Sequence, residues 1–372
     1  MTTETVKELK YLGEILNKSI LHMMNNYEKY LTVFPRSQKE LQILDICRKY
    51  PFKTGSFRAD FVIDAHNQIK IIEFNSRQPL NGFFDTGYYS QMALEKARKL
   101  NIDGIIELYP AFYDYLLKYM GNAKKICVVF GEVPAADRRF YPLLFENSGI
   151  ECRQIKLKEL SENTHLLTDA WVICEFSNLE IMDMPLELIE MLAACNSHNS
   201  IIAALTSGSK RFFCALTNQE FLSASLQPKE IDLIKKFITP TYSYSSESEI
   251  WNDASSNKDN YILKHQSKGR SEEVYAGVLT SETKWKELFA QSNIDEMVLQ
   301  PFIEQKLFSG FIKDEVRNDY VTGTLLYFND EFFGPGLYRT HVSPVSSGVG
   351  DFRKISPLIS SSNIRQPGLY YI

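Results

Sequence analysis

The sequence predicts an α/β protein built in several parts, and three stretches carry that expectation. Residues 57–82, FRADFVIDAHNQIKIIEFNSRQPLNG, set two apolar-rich runs on either side of the polar group 65–68, the pattern of a β-hairpin with a four-residue loop. Between residues 124 and 205, short apolar runs alternate with helical segments, which argues for a small parallel sheet with helices on its faces. Residues 260–305 read as strand, glycine-containing turn, strand, helix and strand.

Each element follows from local pattern. Residues 5–33 hold Leu9, Leu12, Leu16 and Ile20 at helical spacing, with Thr5 and Glu8 expected as a capping box. A second helix should start after Ser37, with Glu40 in the box position, and run to about residue 50. In the hairpin, pairing Asp64 with Ile69 puts Asp60 opposite Glu73 and Arg58 opposite Asn75. Strand side chains alternate, so those four share one face, while Ala59, Phe61, Ile72 and Phe74 share the other and form core. Helices are expected over 88–100 and 105–120. Four strands, 126–130, 152–157, 170–176 and 201–205, make the parallel sheet, with helices at 137–148, ended by Gly149, and at 185–195, opened by Pro185. Gly131 follows the first of these strands, but FGEVPA lacks G-x-G-x-x-G, so no dinucleotide site is expected. Pro228 opens a bridging helix and Pro240 stops it, and the polar, acidic stretch 245–258 reads as a loop. Strands at 261–264, 274–276 and 296–300 and a helix at 283–291 complete the pattern.

Composition excludes several classes. With 372 residues the chain can bury more than one core. A formal net charge of −5 gives no global basic field for nucleic acid. No apolar run approaches the roughly 20 residues of a membrane helix, and no secretory pattern opens the sequence. The six cysteines form no C-x-x-C pair and mostly lie in apolar runs. They read as reduced core residues of a cytoplasmic protein.

The hairpin face carries the chemistry. Two carboxylates directly across a strand pair, with Cβ atoms roughly 5 Å apart, repel each other, and a cation between them relieves the repulsion. Oxygen donors such as Asp, Glu and Asn suit Mg²⁺ better than softer metals. An acidic solvent face neutralised by Arg58 is the competing reading of the hairpin alone. Lys264 at a strand end before a tight turn is placed to meet phosphate, although a lone lysine is more often a surface lysine with a buried stem.

The run RADF, a hydrophobic strand ending EFN, then Pro79 and Gly82, resembles the metal-binding strand pair of ATP-grasp enzymes, R-x-D…E-x-N. The resemblance implies Mg²⁺ held by Asp60, Glu73 and Asn75, and phosphate contacted by Arg58. The block NYILKHQSKGRSEEVYAG…VLQPFI resembles that family's nucleotide half. There it implies Lys264 on the α- and β-phosphates, Gly269 in the phosphate loop, Gln300 near adenine, and the backbone of Phe302 and Ile303 as an adenine-reading hinge. Leu263, Val298 and Ile303 would enclose the base, and Lys210 and Lys236 are weaker matches for a further phosphate lysine. Arg339 matches an arginine near the transferred phosphate. His341 reads more readily as a hydrogen-bonded loop histidine than as an acid or base. Metal ligands precede the nucleotide lysine, so the order resembles the circularly permuted ATP-grasp proteins related to glutathionylspermidine synthase.

The resemblance implies α+β ATP-grasp lobes in permuted order around the parallel domain. Residues 1–123 would be a helical leader with the Mg²⁺ half, 124–205 the α/β domain, 206–258 a bridge and linker, and 259–372 the nucleotide half. It implies an ATP-dependent carboxylate–amine ligase acting through an acyl phosphate, with small-molecule acid and amine partners, and no nucleic acid or membrane. A second copy of the chain in a homodimer, or a carrier protein, would be the macromolecular partner, and the alternatives in function are a carboxylate–thiol ligase acting on a carrier protein and a catalytically silent nucleotide-binding module. The phosphate loop, SKGRSEEV, departs from the family in keeping one glycine, Gly269. Glu272 and Glu273 bring negative charge to it, with Lys268 and Arg270 to compensate.

Overall fold

The computed structural model describes residues 1–102, 112–132, 135, 138–245, 248–269, 271–312, 315–345 and 353–357. The strands are β1 Ser56–Ile63, β2 Ile69–Asn75, β3 Lys125–Phe130, β4 Glu151–Lys156, β5 Trp171–Glu175, β6 Tyr242–Ser243, β7 Tyr261–His265, β8 Val274–Ala276, β9 Met297–Pro301, β10 Phe308–Ile312, β11 Glu315–Phe328, β12 Glu331–Pro335, β13 Tyr338–His341 and β14 Arg353–Ile355. Three sheets organise them, and the fold is α/β as the sequence indicates. An antiparallel sheet runs β14-β13-β11-β1-β2, with β10 and β12 also pairing β11. A parallel sheet runs β4-β3-β5, and a smaller antiparallel sheet runs β6-β9-β7-β8.

The parallel sheet is covered on both faces, as continuous apolar strands require. Cys127, Val129, Val172 and Cys174 pack into one core with the helices Thr3–Asn26 and Gln38–Cys47. Ile126, Val128, Trp171 and Ile173 pack into a second core with Phe83, Phe112 and Phe328. The small sheet has a core of its own around Trp251, Trp285, Leu263 and Leu299. All cysteines but Cys195 are buried, and none is in a disulfide. No helix among the described residues is long and apolar enough to cross a membrane.

Four sequence expectations change. Thr2, not Thr5, caps the first helix, accepting from the Thr5 N–H at 3.2 Å, so the helix starts a turn earlier than its apolar spacing suggests. The fourth parallel strand, 201–205, is the helix Ile201–Ser207, every residue of which is buried. A short, fully apolar run has the same pattern in either conformation. The acidic loop 245–258 holds the helix Glu249–Ser256, which folds because Trp251 and Ala254, one turn apart, enter the small core. The hairpin register is mixed. Arg58 faces Asn75 and Asp60 faces Glu73 as the pattern requires, but Phe61 faces Ile71, and Ile63 rather than Asp64 faces Ile69. The first part of the helix expected over 105–120 lies outside the described residues, as do Arg270 and residues 346–350 of the glycine- and serine-rich stretch.

Candidate functional site

A cavity of about 480 Å³ lies between the hairpin, the small sheet, the β11–β13 edge and the C-terminal end of β5. Its centre is the charged face of the hairpin. Asp60 is 1% exposed. Arg58 Nε donates to its Oδ1 at 2.8 Å, and its Oδ2 accepts from Asn75 Nδ2 at 3.2 Å and Arg339 Nη2 at 3.3 Å. Glu73 is more open, and Lys210 Nζ stands 3.5 Å from its Oε2. Burial pushes the Glu73 carboxyl up, but Lys210, Lys264, Arg339 and Arg58 outweigh it and hold the group below its ordinary value.

The mixed register reflects a β-bulge on β2 between the functional pairs and the turn. The loop closes one residue sooner than expected, where Asp64 N–H donates to Gln68 O at 2.9 Å and Asn67 takes φ 63°. The bulge absorbs that slip. Ile71 therefore takes the core position, at 0% exposure, and Ile72 lines the cavity instead. The Ile72 carbonyl, released from regular pairing, accepts from Lys264 Nζ at 3.4 Å and Gln300 Nε2 at 3.3 Å. Segments about two hundred residues apart in sequence thus meet at one bulged peptide.

β7 and β9 supply these two side chains. Ile262 pairs with Gln300, and Ile262 and Lys264 alternate onto the cavity face. By the same parity Leu263 turns into the core beside Trp285, so it does not enclose a base, and Val298 is buried without lining the cavity. Burial pushes Lys264 down to about 8, with Glu73 opposing and Lys210 reinforcing the shift. Gln300 also donates to Thr241 Oγ1 at 2.8 Å. The Phe302 N–H donates to Asn260 O at 2.7 Å, so of the expected hinge it is the Ile303 side that remains to meet a base. Lys210 spans the two lobes, donating to Lys268 O at 2.6 Å while facing Glu73.

Four expected residues stand apart. Lys236 is on the outer surface, where it pairs with Glu8 at 2.6 Å, because it lies on the exposed face of the helix Pro228–Phe237. His341 is 7% exposed in β13, bonded to Thr322 Oγ1 at 2.9 Å and to the Ser343 carbonyl, and does not line the cavity. Glu272 and Glu273 do not line it either, since both pair with Lys268. Conversely, Ser76, Arg77, Asn178, Gly208 and Lys354 line the cavity without having been singled out by sequence. The SRQP run directly after EFN was the available signal for the first two.

Among the described lining residues, seven cationic side chains face three carboxylates, inside a chain of net charge −5. That inversion gives the cleft a local positive charge, which suits anions. No group of three or more His, Cys, Asp or Glu among the described residues is arranged to hold a metal. Mg²⁺ needs less. It is typically held by one or two carboxylates and completed by phosphate and water, and the Asp60–Glu73 pair with the Asn75 amide oxygen fits that requirement.

Fold and site together define an α/β protein with a cationic cleft between two lobes. Residues 12–204, more than half of the chain, match the family model described as the AnkG N-terminal domain, and the chain belongs to that family. No curated protein matches the chain. Among solved structures, it is similar to a protein of Methylobacillus flagellatus KT described provisionally as a gamma-glutamylcysteine synthetase. The two share 11% identity and a TM-score of 0.40 over 91% of this chain and 84% of that one. A likeness this remote says nothing of activity.

Proposed function

We propose that this protein is an ATP-dependent ligase of the circularly permuted ATP-grasp kind, joining a small-molecule carboxylate to an amine. The observation that carries this reading is the convergence of Lys264 and Gln300 with Asp60 and Glu73 around the Ile72 carbonyl. In the proposed reaction the substrate carboxylate attacks the γ-phosphorus and ADP leaves. The amine then displaces phosphate from the acyl phosphate and loses a proton. Each stage moves negative charge, so fixed cations lower its barrier more than a nucleophile would. Lys264, Lys210 and Lys268 hold the phosphates at the bulge end of the cleft. Arg58 and Arg339 neutralise charge beside Asp60. Asp60, Glu73 and Asn75 would hold Mg²⁺, which supplies further neutralisation of the phosphates when bound.

The test is ADP release by the full chain with ATP, Mg²⁺ and a panel of acids and amines. Turnover that disappears in Glu73→Gln is the expected result. Neither turnover nor binding of a non-hydrolysable ATP analogue would end the reading. A second reading, a nucleotide-binding module without turnover, is favoured by the engagement of Lys268 with Glu272 and Glu273. Analogue binding without ADP release across the panel would select it.

A further inference from the structure

Along β2 the cleft has a direction. Lys264 and Gln300 reach Ile72, Lys210 reaches Glu73, and Asp60 and Asn75 follow. The chain then leaves the strand at Ser76, about 13 Å beyond Ile72 at the usual strand rise. Lys264 and Lys210 thus serve one end of the cleft and leave the other to different residues.

At that other end Ser76 lines the cleft, is 2% exposed, and its hydroxyl has no hydrogen-bond partner. A buried hydroxyl left unpaired is costly, and such groups in native proteins usually await a ligand or water. Asn178, just past the C-terminal end of β5, faces the same spot. A Cβ at Gly208 would lie 3.0 Å from Ser76 Oγ and 3.3 Å from Asn178 Oδ1, and 2.5 Å from Ala204 O. Only glycine at 208 therefore leaves room between the hydroxyl and the amide. Arg77 adds positive charge beside them, within reach of Glu180.

We infer that Ser76, Asn178 and Arg77 form a second anion subsite, which takes a carboxylate of the acid substrate. The inference rests on the ligase reading for its naming of the substrate. A hydroxyl, a side-chain amide and one guanidinium match a planar monoanion, whereas the clustered lysines at the opposite end match phosphates. The subsite also gives the parallel sheet a role, since ligands of such sheets sit beyond the carboxyl ends of the strands.

The experiment is calorimetric titration of the full chain with succinate, glutarate or L-glutamate, and separately with AMP-PNP and Mg²⁺. At least one of the three carboxylates should bind. Ser76→Ala and Asn178→Ala should each weaken that binding by about ten-fold while leaving AMP-PNP affinity unchanged. Lys264→Met should do the reverse. Failure of all three carboxylates to bind, or binding indifferent to Ser76→Ala, overturns the subsite. Inorganic phosphate binding as tightly with the same sensitivity overturns its assignment to carboxylate. Carboxylate binding without AMP-PNP binding would keep the subsite and sink only the ligase reading.

Discussion

The two lobes that face each other across the cleft are built on different terms. On the hairpin side, Phe57, Ala59 and Phe61 are at most 1% exposed behind β1, and the functional face is fixed in advance, with Asp60 held by donors from Arg58, Asn75 and Arg339. On the other side, β6–β9 fold around a separate small core in which Trp251 donates to Ser243 O and Trp285 to Ala254 O. That lobe is tied to the first through a few polar contacts, chiefly Lys264 and Gln300 to Ile72 O, Lys210 to Lys268 O and Arg211 to Asp295 O. The carboxylates are therefore fixed by the first lobe's own side chains, whereas Lys264 and Lys268 come from a lobe with a separate core.

The strongest test of that contrast is Trp285→Ala. It empties the centre of the small core and should cost about 3–5 kcal/mol. Because the lobes do not share a core, the loss should be local. Hydrogen exchange should rise over β7–β9 and stay unchanged over β1 and β2, with nucleotide affinity lost. Uniform exchange across both sheets would mean that the lobes fold as one unit.

The next largest effect concerns the carboxylates. Glu73→Gln should lower turnover by about 10²–10³, in keeping with loss of one preorganised charge partner. It should also destabilise the free protein, since Lys210 loses its partner and Lys264, Arg339 and Arg58 lose a nearby attractive charge. This reverses the simple cross-strand argument, in which removing one of two facing carboxylates relieves repulsion. The sign follows from the depressed Glu73 carboxyl. Its contribution is present above the ordinary value of 4.5 and is lost as pH falls through the depressed one. Wild type and Glu73→Gln should therefore differ in melting temperature at neutral pH and converge in acid. A constant gap across that range would mean that packing, not charge, distinguishes them.

The contrast also explains what the sequence could disclose. The hairpin was legible because period-two alternation and two short motifs agree, and the Arg58–Asn75 and Asp60–Glu73 pairs depend only on local register. The bulge was not legible, because a loop one residue shorter and a bulge that adds one residue to β2 cancel at the functional pairs. Its consequence, the Ile72 carbonyl shared by Lys264 and Gln300, is a long-range contact without a local signature. Leu263 illustrates a different gap. Once Lys264 faces the cleft, alternation alone sends Leu263 into the core, so parity held the answer. The run 201–205 was undecidable by pattern, since a wholly buried helix and a buried strand are equally apolar.

A smaller effect separates the two lobes by protons. Burial holds Lys264 at about 8 in the free protein, so near pH 8 about half of it is neutral. Phosphate binding favours the charged form. AMP-PNP binding at pH 8 should therefore take up about half a proton, measurable as a dependence of the binding enthalpy on the buffer's ionisation heat. Affinity should fall as pH rises past that value. In stability the sign is opposite. The lowered lysine is a liability below about 8, and the liability disappears as pH climbs toward the ordinary 10.5. Lys264→Met should abolish the proton uptake. Uptake that survives the substitution would assign the titration to another group.

The smallest expected effect concerns the glycine-poor loop. Acting by their own charge, Glu272 and Glu273 would repel a nucleotide, and at an effective dielectric of about 20 such repulsion would weaken binding roughly ten-fold or more. Their position argues otherwise. Neither lines the cleft, and both engage Lys268, which does. Their influence should then be indirect, through a lysine they hold back from phosphate, and an exposed ion pair in salt is weak. Replacing both with Gln should tighten AMP-PNP binding by about three-fold, most visibly at low ionic strength. The two accounts separate on adding Lys268→Met to the double variant. If the glutamates act by restraining Lys268, the gain vanishes in the triple variant, because the released cation is gone. If they act by direct repulsion, the gain persists without the lysine, and the small lobe would carry a fixed negative field at its mouth instead of a reserve cation.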